Sequence, residues 1–217
     1  VEKYTPGETI VIKTTNGEVR AKQLILAGNA YLGELAPKIA HKILPAGSYI
    51  VATEPLSESV YKSLLPNNHA VCDQKIELDY FRLSADKRLL FGGLCNYSAR
   101  DPKNIAATLT PKMLSVFPEL ADVNIDFQWG GMIGIGANRL PQIGRLDHNI
   151  YYAQAYSGHG VNITHVAGKI LAEAISGESS LIKHFEKVKH FTFPGGKHLR
   201  SPLLAMGMMY HKLLDKF

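Results

Sequence analysis

Gly158, His159, Gly160 and Asn162 together describe a potential anion-binding turn. Two glycines around a histidine permit a sharp backbone turn, and the asparagine follows where a helix could begin. A helix starting near Asn162 would aim unpaired backbone N–H groups, and the positive end of its dipole, at whatever lies over the turn. The chemistry on offer is therefore the binding of a group that becomes negative. His159 could handle a proton there or orient the turn through a hydrogen bond.

The elements that must position these residues flank them directly. The run YYAQAY from Tyr151 suits a buried strand, while Val166, Ala167, Ile170, Leu171, Ala174 and Ile175 recur at helical spacing. Gly177 supplies the stop. Strand, glycine turn and helix also occur in α/β proteins that bind nothing at the turn, so the spacing alone names no guest.

A second glycine-rich stretch, GMIGIGAN at 131–138, imitates a phosphate loop. Pro141 follows it, no helical pattern does, and no Lys-Ser/Thr pair completes a P-loop; a glycine-rich strand end facing a ligand is the better reading. Trp129 reads as packing, and His165 receives no role. No CxxC or Cys/His ligand spacing is present, so no metal is expected.

The chain has 217 residues, 46% of them hydrophobic and 20% charged, which describes a globular protein with one large domain, or one domain and part of another. No apolar run approaches the ~18 residues of a membrane span, and no secretory signal opens the chain. Cys72 and Cys95 form no CxxC or Cys/His ligand spacing; they read as buried thiols in a reducing, cytoplasmic compartment. The formal charge is +5, with basic residues gathered late at Lys183, Lys187, Lys189, Lys197, Arg200, Lys212 and Lys216. Acids and apolar residues interrupt them and no nucleic-acid module is present, so they read as a solvated face and no nucleic-acid partner is expected.

Further elements can be placed in order. Ile10 to Ile12 and Val19 flank TTNGE, whose Asn16-Gly17 pair favours a type I′ hairpin turn. Leu24 to Leu26 forms a strand ending in Ala27-Gly28-Asn29. Pro45 to Thr53, Val71 to Tyr80, Phe81 to Leu83 and Leu89 to Leu94 read as strands of a largely antiparallel sheet. Thr110-Pro111 reads as the N-cap and first position of a helix that Pro118 closes. Asp126 to Ile133 is a further strand, and Pro141 to Arg145 leads back toward the glycine turn.

These residues carry a resemblance. SGHGVNITHVAG resembles the C-terminal flavin-binding segment of the D-amino-acid oxidase and sarcosine oxidase superfamily of FAD enzymes. LILAGNAYLGELAP, GSYIVATEPL, LDYFRLSADKRLLFGG, ARDP, WGGMIGIGANRLPQIGR and the closing PGG resemble its other blocks in the right order. Within the superfamily the likeness is greatest to the γ-glutamylputrescine oxidases.

The resemblance implies an α+β fold: a largely antiparallel substrate-domain sheet with flanking helices, plus the C-terminal strand-turn-helix part of an FAD-binding domain. It divides the chain into a partial FAD-binding domain at 1–42, a substrate domain at 43–145, a flavin-contact strand-turn-helix at 146–180 and a tail at 181–217. Ala27, Gly28, Gly158, His159, Gly160, Val161 and Asn162 fall where the family contacts FAD, with turn and helix start against the pyrimidine edge of the flavin ring. No residue matches the family's covalent flavin cysteine, so noncovalent FAD is expected. Ile133 stands where relatives that oxidise amino acids carry an arginine for the substrate carboxylate, and isoleucine cannot make that fork. Asn162 falls where relatives place a substrate-contacting lysine, unless it only caps its helix. Tyr80 falls on a strand facing the expected substrate cavity, unless it is a core aromatic.

The activity implied is oxidation of γ-glutamylputrescine or a similar primary amine to an aldehyde, with release of ammonia and hydrogen peroxide. Family members open with a strand and a GxGxxG turn for the FAD pyrophosphate, absent from this chain, which reads as the C-terminal half of a longer enzyme. The missing N-terminal half is thus an expected partner. The isolated chain is expected to be inactive, to lack FAD and to self-associate. A non-catalytic remnant that binds a small amine or a partner subunit, and an oxidase of a secondary amine, are the alternatives.

Overall fold

The computed structural model describes residues 1–75, 78–96, 101–178 and 180–193. Outside this set lie the closing PGG block, Ala99 and Arg100 of ARDP, and Lys197, Arg200, Lys212 and Lys216; the side chain of Cys95 is likewise undescribed.

In chain order the strands are β1 Lys3–Thr5, β2 Ile10–Thr14, β3 Gly17–Ala21, β4 Leu24–Leu26, β5 Ile43–Thr53, β6 Val71–Cys72, β7 Tyr80–Leu83, β8 Leu89–Asn96, β9 Ile125–Gly136, β10 Gln142–Asp147 and β11 Ile150–Gln154. The helices are α1 Pro37–Ala40, α2 Glu58–Leu64, α3 Ile105–Val116, α4 Gly160–Ile175 and α5 Ser180–Glu186. The strands form sheets ordered β1-β2-β3, β10-β11-β4 and β6-β7-β8-β5-β9. Pairing is antiparallel throughout β1-β2-β3 and from β6 to β5, as expected, whereas β11 runs parallel to β4.

Two compact units divide the chain, with boundaries at Pro45/Ala46 in β5 and Met132/Ile133 in β9. The first holds β4, β10, β11, α4 and α5. Its central strand β11 is apolar on both faces, and one face buries Tyr151 and Ala153 against Ala167, Ile170, Leu171 and Ala174 of α4. Val166 falls off that stripe and is 56% exposed, which corrects its place on the packing face. α4 ends in a Schellman motif: Gly177 (φ +99°) donates to Ala174 O and Glu178 to Glu173 O, so the glycine stop stands. Gln154 donates to Gln142 Oε1 and Ile39 O, and Gln142 to Lys42 O, tying β10 and β11 to α1 and the residues just after it.

The second unit packs α3 on its sheet, burying Leu109 and Met113 against Tyr49, Val51, Leu83, Leu89 and Phe91. Asp79, 3% exposed, is held by Lys75 and by Lys112 of α3.

Several local expectations are corrected. The first hairpin pairs Thr14 with Gly17, so its turn residues are Thr15 and Asn16, neither at the positive φ that a type I′ turn needs. Thr14 Oγ1 closes it, accepting from Asn16 N and donating to Gly17 O. α3 begins at Asn104, whose side chain accepts from Ala107 N at 2.9 Å, and Pro111 lies inside the helix. A satisfied cap about two turns upstream thus outweighs the single N–H that proline removes. Only Val71 and Cys72 of the Val71–Tyr80 run pair as strand β6, since the Asp73 side chain turns the chain by accepting from Lys75 N and Asp79 N. Cys72 is exposed on this two-residue strand rather than buried. Trp129, 44% exposed at the sheet margin in β9, is not core packing.

Candidate FAD and amine site

The glycine turn is built by backbone geometry that few residues adopt. Ala155 (φ +61°), Ser157 (φ +52°) and Gly158 (φ +95°) follow β11 almost consecutively in the left-handed region. Hydrogen bonds hold this bend from outside: Ser157 N donates to Gly134 O at 3.0 Å, and Gly136 N donates to Ser157 Oγ at 3.3 Å. The end of β9 therefore buttresses the turn. The space over Gly134 belongs to the protein, because a Cβ there would lie 2.2 Å from Asn29 Oδ1. Gly134 therefore serves the approach of Asn29 rather than of a ligand. No helix follows β9, consistent with rejecting a phosphate loop.

α4 starts two residues earlier than expected. His159 is the N-cap and makes no side-chain capping bond, so Asn162 is the third helical residue and not a cap. The first intrahelical acceptor bond runs from Ile163 N to His159 O, leaving the N–H groups of Gly160, Val161 and Asn162 ahead of it at the helix mouth. Val161 is 89% exposed, and Gly158, His159 and Asn162 are exposed as well. Among the described residues, neither the His159 imidazole nor the Asn162 amide takes a hydrogen bond, which removes the idea that the imidazole braces the turn. Thr164 Oγ1 and His165 Nδ1 instead meet the carbonyls of Gly160 and Val161. Gly160 is not at positive φ, and a Cβ there would find only ordinary contact with Tyr156 at 3.7 Å. The turn itself thus requires glycine at 158, not at 160.

Ala27 and Gly28, exposed after β4, line an open groove of about 320 Å³ with Leu24, Ile25, Leu26, Tyr31 and Tyr4. The next residue, Asn29, joins them to the turn: its Oδ1 accepts from Ala155 N at 2.9 Å. Ile133 is half-buried immediately before Gly134, on the strand end that buttresses the turn. Tyr80 lies in the other unit. There Phe81 and Leu83 face the α3 core while Tyr80 points to the opposite face, its ring over Gly92 and its hydroxyl hydrogen-bonded to that of Ser48 at 2.9 Å. It is half-buried and not a core aromatic. Sequence reasoning stopped at Gly28 and missed Asn29, Ala155 and Ser157. An asparagine after glycine at a strand end is a usable signal, since asparagine tolerates left-handed backbone; alanine at 155 gives none. Among the described residues no group of three His, Cys, Asp or Glu side chains gathers as a metal site.

Residues 1–174 match the family described as FAD dependent oxidoreductase, DAO. The chain belongs to that family. Over 217 residues it is 47% identical to a γ-glutamylputrescine oxidoreductase of Escherichia coli (strain K12), covering the whole chain and 50% of that relative. It is 42% identical to a probable oxidoreductase, OrdL, of Haemophilus influenzae, over 96% of the chain and 48% of that relative. The chain thus spans about half the length of these curated relatives. Among solved structures, glycine oxidase from Geobacillus kaustophilus superposes with a TM-score of 0.70 at 17% identity, over 88% of this chain and 52% of the other. L-Proline dehydrogenase from P. horikoshii gives 0.66 at 20% identity, over 84% and 50%. These two likenesses show the DAO-like fold, in agreement with the mixed sheet-and-helix architecture.

The residues present fit the family's cofactor. Three N–H groups with no partner among the described residues, at an exposed helix mouth behind a turn with open space at Gly158, suit the electron-rich edge of a flavin.

Proposed function

We propose that this chain supplies the substrate unit and the flavin-edge contact of an FAD-dependent oxidoreductase that oxidises γ-glutamylputrescine or a similar primary amine. The observation that carries the reading is the mouth of α4, where the N–H groups of Gly160, Val161 and Asn162 stand free behind the strained turn. The likeness to γ-glutamylputrescine oxidoreductase supports the substrate.

FAD, bound noncovalently, would take the two electrons and hydrogen from the amine carbon, giving an imine that water converts to aldehyde and ammonia while oxygen is reduced to peroxide. The protein's own tasks are orientation, exclusion of water and stabilisation of charge at the flavin's N1 and O2. In this reading Gly158, His159, Gly160, Val161 and Asn162 meet the flavin edge, and Ala27 and Gly28 lie along it. Ile133 and Asn162 in one unit, and Tyr80 in the other, are each proposed to contact the amine. The half-buried, apolar Ile133 offers no partner to an α-carboxylate, which would be desolvated and unpaired there. The pyrophosphate and ribose contacts belong to the part of the relatives that this chain does not match, so the chain by itself is proposed to hold FAD weakly and to self-associate through exposed apolar residues such as Ile25, Val161 and Val166.

The test is anaerobic mixing of the FAD-loaded protein with γ-glutamylputrescine and, separately, with glycine. The flavin should bleach with the primary amine, and kcat/KM should favour it over glycine by at least about 100-fold. Bleaching by a secondary amine alone, or comparable values for glycine, would overturn the substrate assignment.

A further inference from the structure

We infer that Asn29 is a positioning residue that sets the donor geometry of the flavin-edge turn. The inference rests on the proposed cofactor reading and adds a residue to it.

Three chain segments within one unit meet at this side chain. Asn29 leaves β4 at φ +45°, a conformation costly for most residues and tolerated by asparagine. Its Oδ1 accepts from Ala155 N at 2.9 Å, at the residue where β11 first enters left-handed backbone. The same oxygen occupies the place a Cβ would take on Gly134, so the glycine exists for this side chain. Gly134 O in turn accepts from Ser157 N at 3.0 Å, and Ser157 Oγ accepts from Gly136 N and donates to Ala155 O, both at 3.3 Å. The circuit returns to the residue that Asn29 holds.

The hydrogen bond matters because Ala155 and Ser157 have no intrinsic preference for the backbone they adopt. Without an acceptor at Ala155 N, the segment 155–158 can relax toward ordinary φ values. The direction of α4's first turn is then no longer fixed, since only Tyr156 to His159 separates it from Ala155. Donors that hold a developing negative charge work by being in place beforehand. Loosening them weakens binding of the flavin and, above all, of negative charge upon it.

Sulfite would read that property without turnover, because a bound flavin that accepts its lone pair would gain negative charge for the α4 donors to stabilise. Asn29→Gly keeps the positive φ and removes the acceptor. In the FAD-loaded protein it should weaken sulfite binding by about tenfold and raise the Kd for FAD in the same direction, the scale of one lost hydrogen bond. The fold should persist by circular dichroism. Unchanged sulfite and FAD affinities, with or without a lower Tm, would overturn the inference and leave Asn29 a fold-stabilising residue only. Should Asn29→Gly not fold, Gly134→Ala carries the same test, because its β-carbon would displace Asn29 Oδ1 from Ala155 N. A wild-type protein that binds no FAD or sulfite would instead refute the cofactor reading itself, a distinct outcome.

Discussion

The hydroxyl of Tyr80 meets the hydroxyl of Ser48 at 2.9 Å, across a sheet face turned away from the α3 core. Gly92, on the strand between them, lets the Tyr80 ring lie flat over the backbone: a Cβ there would come within 2.3 Å of it. This side chain is placed by design of its neighbours yet stays half-buried, which is the arrangement a substrate-facing aromatic needs. Tyr80→Phe should therefore cost about 1 kcal/mol or less in stability, since Ser48 can turn to water. The KM for the amine should rise several-fold with little change in Tm. A fall in Tm with unchanged KM would make Tyr80 a structural residue.

At the helix mouth, Gly158, Gly160 and Asn162 separate cleanly. Gly158→Ala forces a β-carbon into φ +95° and should destabilise the protein by about 1–2 kcal/mol. Gly160→Ala meets ordinary contacts and a helical backbone, so its stability should hold or rise by up to ~1 kcal/mol. Asn162→Ala removes no cap and should stay within about 0.5 kcal/mol of wild type. Loss of FAD affinity in Gly160→Ala, or a raised KM in Asn162→Ala, would then report contacts with cofactor or amine. Urea titrations beside FAD and amine titrations check all three.

The segment before residue 194 is expected to respond to pH. Asn138 Nδ2 donates to Lys189 O and lies 3.4 Å from His190 Nδ1, while Phe193 N donates to His41 O. Burial, reinforced by Lys42, pushes the His190 imidazole below its usual value of 6.5. The folded state thus prefers neutral His190, so its contribution is complete above pH ~6.5 and is lost as pH falls through the lower folded value. Amide exchange of residues 188–193, corrected for its intrinsic pH dependence, should accelerate as pH falls below about 6.5. His190→Gln should flatten that profile; an unaltered profile would remove His190 as its cause.

How much of this was legible in the sequence follows from where local signals act alone. The β11-turn-α4 unit was readable because apolar periodicity, glycine and a helix stop all point the same way. The start of α4 was misplaced because an asparagine is a good cap in isolation, whereas the strained turn brings the helix in two residues earlier. Thr110-Pro111 misled for the same reason: Asn104 upstream satisfied the helix first. Trp129 and Cys72 were misjudged because burial depends on which strands have neighbours, a fact of sheet order. The Asn29 latch joins residues 126 positions apart, and no local pattern could announce it.

The first turn of α4 is proposed to receive the flavin edge. Amide hydrogen exchange on the protein carrying this chain, compared with and without FAD, tests it at the atoms concerned. The N–H groups of Gly160, Val161 and Asn162 precede the helix's own hydrogen bonds and should exchange fast in the apoprotein, then slow at least about tenfold when FAD binds. Fast exchange at these three amides in a protein that demonstrably holds FAD would place the flavin elsewhere and contradict the account.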